Sequence, residues 1–229
     1  MTSISLIIPT YNEARNLSVL CKEIFDSLQE GVDVELIVVD DNSPDGTGRV
    51  ADDLARTYPI KVIHRAGKLG LGSAVREGFK LSTRPYVGVM DADLSHDPAI
   101  LKQMVSLLDE HDIVIGSRFQ PGSSVERWPW YRKLMSKVGV AVARRLTGVS
   151  DPLSGYFFLR REVIDGANLT TTGYKILFEI LVKGRYQKIK EISYQFRIRQ
   201  YSASKLNVKE YWLFLKQVVE YWSERRLKD

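Results

Sequence analysis

The sequence has little of what a secreted or hydrolytic protein would use. One cysteine in 229 residues leaves no internal disulfide and no C-x-x-C pair for a metal. Cys21 sits in an apolar-periodic stretch and reads as a buried core residue. The three histidines, His64, His96 and His111, have no ligand spacing among themselves, and no nucleophile elbow or Ser-His-Asp arrangement is present. No uninterrupted apolar run approaches the roughly 20 residues of a spanning helix. The first strand pattern starts almost at Met1, which leaves no room for a basic region, an apolar stretch and a cleavage site. These absences lead us to expect a cytoplasmic protein whose contact with membrane is peripheral.

A hydrophobic content of 44% over 229 residues is enough for one sizeable domain with a continuous core. The formal net charge of +5 favours anionic partners without choosing among nucleotides, lipid phosphates and nucleic acid. Carboxylates cluster in the first half, whereas Arg118 to Arg145 and Arg185 to Arg199 are basic, which suggests acidic metal chemistry beside an anion-binding surface.

Short apolar, β-branched runs at Ile4–Ile8, Glu35–Val39, Ile60–Ile63, Tyr86–Met90 and Ile113–Ile115 alternate with stretches of helical period such as Leu17–Leu28. Such β-α alternation predicts an α/β fold with a mostly parallel sheet covered by helices on both faces, and binding residues just after the strand C-termini. After Ser117 the pattern changes. Trp128–Leu146 reads as a helix mixing aromatic, apolar and basic residues. A short run at Tyr156–Leu159, a helix near Tyr174–Lys183, a strand near Ile189–Ile198 and a terminal helix from about Val208 to Arg226 follow. The whole chain, 1–229, is expected to form one domain, with 1–118 as its nucleotide-binding half and 119–229 as its acceptor-binding, membrane-facing half.

Three acidic sequences fall at strand ends. Asp91-Ala92-Asp93 follows an apolar strand, and a turn there can aim both carboxylates at one cation. Mg2+ or Mn2+ needs oxygen ligands and keeps waters and phosphate oxygens, so two carboxylates beside a diphosphate suffice. Taken alone, an Asp-x-Asp is as often a turn or helix cap. Asp40-Asp41, after the second strand, is placed to accept hydrogen bonds from ribose hydroxyls or a base N–H, although Asp45 in the turn that follows reads as a cap. Pro9-Thr10-Tyr11-Asn12-Glu13 ends the first strand and opens a helix, which brings backbone N–H groups and a carboxylate to the same edge. Lys68-Leu69-Gly70-Leu71-Gly72-Ser73-Ala74 lacks G-x-x-x-x-G-K-[ST] and reads as a tight turn that lets backbone approach a nucleotide. Arg118, Tyr131-Arg132-Lys133 and Arg197-Ile198-Arg199 with Lys205 supply cations suited to phosphate oxygens.

Together, I-I-P-T-Y-N-E, V-V-D-D-N-S-P-D-G-T, G-L-G-S-A, M-D-A-D-L-S-H-D-P, G-S-R-F, W-P-W-Y-R-K-L-M-S-K, D-P-L-S-G-Y-F and S-A-S-K resemble the dolichol-phosphate mannose synthases of glycosyltransferase family 2, over about Ser3 to Leu206. The resemblance implies a glycosyltransferase-A fold and an inverting transfer of mannose from GDP-mannose to dolichyl or polyprenyl phosphate with a divalent cation. It assigns Pro9, Tyr11, Glu13 and Asp41 to the nucleotide pocket together with Ala92, and Asp91 and Asp93 to the metal. Arg118, Arg132, Ser136, Arg199 and Lys205 would contact the diphosphate or the acceptor phosphate, and Asp93, Arg118 and Arg132 are the expected catalytic residues. Two positions depart from the pattern: Ser95, where some relatives carry a metal-binding Gln, and Ser202, where R-x-x-G-x-S-K has glycine. Many relatives carry transmembrane helices after this region; here Tyr211–Arg226 is expected to lie on a membrane, dock on an anchoring partner or pack on the domain.

An acceptor phosphate is already ionised near neutral pH, so an in-line attack needs no strong general base, in keeping with the missing catalytic histidine. The same carboxylate and arginine set would also serve a UDP-glucose or other UDP-sugar donor. A non-enzymatic nucleic-acid module is the distant alternative, disfavoured because paired carboxylates repel phosphate unless a metal intervenes.

Overall fold

The computed structural model of the chain describes residues 1–28, 31–125, 140–198, 217, 218 and 221. Their centre is a seven-stranded sheet in the order β3-β2-β1-β4-β7-β5-β8. The strands are β1 (Thr2–Thr10), β2 (Val32–Asp40), β3 (Ile60–His64), β4 (Tyr86–Val89), β5 (Ile113–Ser117), β7 (Phe157–Arg160) and β8 (Ile189–Ser193). β6 (Ser124–Val125) and β9 (Gln195–Phe196) form a separate parallel pair. Helices α1 (Ala14–Leu28), α2 (Thr47–Leu54), α3 (Leu71–Leu81), α4 (Leu101–Ser106) and α6 (Ile176–Lys183), with a helical stretch α5 at residues 140–147, complete the described structure.

Side-chain alternation along the central strands explains why helices cover both faces. Ile4, Leu6 and Ile8 of β1 join Leu36 and Val38 of β2 on one face, packed against Leu17, Leu20, Cys21 and Ile24 of α1 and Met104 of α4. Ile7, Ile37 and Val39 point the other way, onto Ala74, Val75 and Phe79 of α3 and Ile176 and Ile180 of α6. Such two-sided burial is why these strands read as near-continuous apolar runs. Cys21 is a free, buried thiol, as its apolar surroundings in sequence suggest.

Among the described strands only β7 runs against its neighbours, pairing antiparallel with both β4 and β5. Its reversal has a consequence for the site. The C-terminal ends of β1, β2, β4, β5 and β8 lie along one edge, and the segment Asp151–Tyr156 leads into β7 at that same edge. The Ile189–Ile198 run, expected as one strand, is two: β8 ends at Ser193 and β9 starts at Gln195 in the other sheet. The break is at Tyr194, where the chain leaves the large sheet. The helix expected from Trp128 is described only from residue 140, and the terminal helix expected over Val208–Arg226 lies almost wholly outside the described residues.

Close packing at the middle of the sheet depends on Gly88 of β4. A Cβ there would stand 2.2 Å from Cε1 of the fully buried Phe158 across the β4–β7 pair. Gly88→Ala is therefore expected to cost about 1–3 kcal/mol by overpacking, measurable as a lowered denaturation midpoint. Phe158→Leu in the same background is expected to restore part of the loss; no recovery would place the cost elsewhere.

Candidate active site

Three turns at the carboxyl edge share one backbone feature. Asn12 after β1, Asn42 after β2 and Leu94 after β4 all have positive φ, at 57°, 56° and 63°. Asparagine tolerates the left-handed region, but leucine rarely does, so the turn at Leu94 is strained and must be held by its surroundings. The hold comes from Asp93, whose Oδ1 accepts both the Ser95 backbone N–H at 3.1 Å and the Ser95 hydroxyl. Leu94 itself packs into the core. Local sequence chemistry thus bends the chain back directly after the strand, as two carboxylates one residue apart require if they are to serve one site.

Asp93 is 5% exposed and the Asp91 side chain 25%. Asp91 is fixed from behind by His96, whose Nδ1 accepts the Asp91 backbone N–H at 3.1 Å, with Nε2 3.8 Å from Asp91 Oδ2. His96 is stacked on Tyr156 at 4.9 Å and is edge-on to Tyr194 and Phe196. Gly155 passes so close that a Cβ would lie 3.2 Å from Asp91 Oδ2, so the glycine of Asp151–Tyr156 lets that segment wall the acidic turn.

At β2 the two aspartates divide their work. Asp40 accepts from the hydroxyls of Thr10 and Ser43 and from the Ser43 backbone N–H, closing the turn that connects it to β1. Asp41 pairs with Arg65 and accepts the backbone N–H groups of Leu69 and Gly70, both at 3.1 Å. Asp45 accepts from Thr47 and from the Ala14 backbone N–H, capping two helices at once. Glu13 accepts from the Asn16 amide at 2.7 Å, and its own backbone N–H donates to the Thr47 hydroxyl. Tyr11 lies under the Lys68 ammonium, 4.1 Å from ring centre to nitrogen, a cation–π contact at this end of the sheet.

The glycine loop is a tight turn into α3, as its sequence indicates, but its glycines answer to protein backbone. A Cβ on Gly70 would lie 2.4 Å from the Thr172 carbonyl and one on Gly72 2.6 Å from the Gly173 carbonyl. Segment 171–173 leaves no room for a side chain, and it is held in turn by Glu179, which accepts the backbone N–H groups of Thr170 and Thr171.

Arg118, at the end of β5, is engaged by the fully buried Asp151: the arginine backbone N–H, Nε and Nη2 donate to its two oxygens at 3.0, 2.8 and 2.7 Å. Burial would lower the guanidinium pKa, but the adjoining carboxylate outweighs it and holds Arg118 above the ordinary arginine value. The structure therefore brings together Pro9, Tyr11, Glu13, Asp41, Asp91, Ala92, Asp93 and Arg118 along one edge. Arg132, Ser136, Arg199 and Lys205 lie outside the described residues. Reasoning from sequence missed His96 and Arg65, which hold Asp91 and Asp41 in place. Asp151 was visible only as part of D-P-L-S-G-Y-F.

Among the described residues no helix is long and apolar enough to cross a membrane. The sequence pattern of "Glycosyl transferase family 2" matches residues 5–166. A dolichol-phosphate mannosyltransferase of Pyrococcus furiosus is 44% identical over 94% of this chain, which spans 62% of that relative's length. The dolichol-phosphate mannosyltransferase of Saccharomyces cerevisiae is 35% identical, with 94% of this chain and 85% of the relative covered. Among solved structures, a glucosyl-3-phosphoglycerate synthase of Mycobacterium tuberculosis, in complex with Mn2+, UDP-glucose and phosphoglyceric acid, superposes with a TM-score of 0.70 at 20% identity, over 98% of this chain and 79% of its own. That likeness establishes the glycosyltransferase-A fold alone. With the family pattern covering more than half of its residues and relatives matched along most of their length, the chain belongs to glycosyl transferase family 2, as a homologue of the dolichol-phosphate mannosyltransferases.

Proposed function

We propose that the chain transfers mannose, with inversion, from GDP-mannose to dolichyl or another polyprenyl phosphate at a membrane surface on the cytoplasmic side. The observation that carries this reading is the acidic turn at the end of β4, on the same sheet edge as Tyr11, Asp41 and Arg118, in a chain whose relatives are dolichol-phosphate mannosyltransferases. Asp91 and Asp93 offer hard oxygen donors suited to Mg2+ or Mn2+. Among the described residues no third Asp, Glu, His or Cys joins them as a ready metal cluster, which fits a cation completed by diphosphate oxygens and water. Such a cation supplies charge neutralisation for the departing nucleoside diphosphate.

The remaining roles belong to the chain's own groups. Tyr11 and Lys68 offer a face for the base, and Asp41, Arg65 and the Leu69–Gly70 backbone shape the pocket beside it. Glu13, buried and bonded to Asn16, backs the turn from β1 into α1. His96 and Gly155 fix Asp91 so that its carboxylate meets the cation without reorganising. Arg118, oriented by Asp151, presents positive charge toward the two phosphates that must approach one another; Arg132, Ser136, Arg199 and Lys205, outside the described residues, are assigned to the same phosphates by their sequence motifs alone. The phosphate acceptor is its own nucleophile, so the site needs no strong base.

The test is product formation from radiolabelled GDP-mannose and UDP-glucose, each with a short polyprenyl phosphate and Mg2+ or Mn2+, with and without a chelator. Chelator-sensitive lipid labelling from GDP-mannose is the expected result. Labelling from UDP-glucose alone would replace the donor, and labelling indifferent to chelator would remove the metal from the reading.

A further inference from the structure

Tyr194 is a buried residue that no part of the reaction described above uses. It sits where β8 has just ended at the carboxyl edge, 3% exposed. Its ring is fixed on several sides, edge-on to His96 at 5.8 Å, to Tyr156 at 5.5 Å and to Phe196 at 6.3 Å. Its carbonyl accepts the Ser124 backbone N–H. The hydroxyl, in contrast, has no hydrogen-bond partner among the described residues. A buried hydroxyl left unpaired costs about 1–3 kcal/mol, and a tyrosine that only filled space would be as well served by phenylalanine.

The neighbours of that hydroxyl identify what it can meet. Burial first, and then the charges of Asp151, Asp91 and Asp93 against that of Arg118, hold the phenol well above its ordinary pKa, so it stays a neutral O–H donor. The ring contacts set the location: Tyr194 is edge-on to His96, which accepts the Asp91 backbone N–H, and to Phe196, over whose ring the Arg118 guanidinium lies at 5.8 Å, so it neighbours both the acidic turn and the Arg118–Asp151 pair. These are the two features that the proposed reaction assigns to phosphate and to the cation. Asp151 is engaged by Arg118, with three donors on its two oxygens, and takes none from Tyr194. An O–H donor held rigidly at this point is matched by an anionic oxygen brought in with substrate, and hydrogen bonds to such oxygens are short and strong.

We infer that Tyr194 is a substrate-positioning residue whose hydroxyl donates a hydrogen bond to a phosphate oxygen bound between Asp91/Asp93 and Arg118. The inference rests on the reading of this edge as a sugar-nucleotide site. The phosphate can be that of the nucleoside diphosphate or that of the lipid acceptor, and the two are separable by experiment. Because His96, Tyr156 and Phe196 fix the ring, little ring freedom is lost when substrate binds, and the contribution of the hydroxyl is to preorganisation.

Tyr194→Phe removes the hydroxyl and keeps every ring contact. Its melting temperature is expected to equal or exceed that of the parent, since no protein hydrogen bond is lost. Calorimetric titration with GDP and with UDP, each with Mn2+, is expected to show an affinity about tenfold weaker for the variant, equivalent to about 1.4 kcal/mol. An unchanged nucleotide affinity with KM for polyprenyl phosphate raised about tenfold would assign the hydroxyl to the acceptor phosphate. Unchanged values for both would overturn the inference while leaving the sugar-nucleotide reading intact. A parent protein that binds neither nucleotide would instead overturn that reading, and the role of Tyr194 with it. A melting temperature lowered by several degrees would also overturn it, by showing that the hydroxyl is a structural group.

Discussion

Asp93→Asn is expected to lower kcat/KM for lipid mannosylation by about 100- to 1,000-fold, the scale seen when one preorganised electrostatic group is removed from a charged transition state. The substitution is informative because of what it keeps. Asp93 Oδ1 accepts the backbone N–H and the hydroxyl of Ser95, and an asparagine carbonyl oxygen accepts the same two bonds, so the strained turn at Leu94 survives. What goes is the negative charge. The variant should therefore keep its melting temperature and need a much higher Mn2+ concentration for half-maximal rate. Full turnover at the parent's metal concentration would remove Asp93 from the metal site and, with it, the central element of the proposed chemistry.

The largest effect on stability is expected from Asp151→Ala. Asp151 is fully buried and takes three hydrogen bonds from Arg118, so its loss removes the carboxylate that directly pairs a poorly solvated guanidinium. Removing one partner of a buried ion pair typically costs about 3–5 kcal/mol, which for a domain of this size lowers the melting temperature by roughly 6–20 °C. The pair itself is not the source of that energy. Arg118→Met combined with Asp151→Leu should recover much of the loss, because apolar residues of similar volume often replace a buried pair without penalty. Failure of the double variant to recover, by chemical denaturation, would show that the segment into β7 depends on this pair for its shape. If the double variant is stable but inactive, Arg118 acts on substrate as well as on Asp151.

Much of this architecture is legible in the sequence, for reasons that also mark where legibility ends. β1, β2, β4 and β5 could be read because burial on both faces makes them continuous apolar runs, and their acidic ends stood out because charge follows such a run abruptly. The carboxylate pairs at Asp40-Asp41 and Asp91-Ala92-Asp93 are local patterns. The partners that orient them are not: His96 is five residues from Asp91 but acts by folding back under the turn, and Arg65 reaches Asp41 from the end of another strand. Nothing in the linear chain announces that the Thr172 and Gly173 carbonyls will stand against Gly70 and Gly72. Tyr194 falls in an alternating run with no sign that the strand will break there. Strand order is likewise invisible locally, since the reversed β7 has the same apolar composition as the strands beside it.

That reversed strand has a cost that falls on biogenesis. β7 is the join between β4 and β5, yet it starts at Phe157, 40 positions after β5 ends at Ser117, and so is synthesised well after it. Until residues 157–160 arrive, β4 and β5 each present an open, largely apolar edge able to pair with the same edge of another chain. A nascent chain through Ser117 already carries both acidic turns but has no closed sheet to hold them. The domain must therefore complete its sheet from the middle, by a long-range closure that is slow relative to local helix formation. Its exposure to misassembly is concentrated in that interval of synthesis.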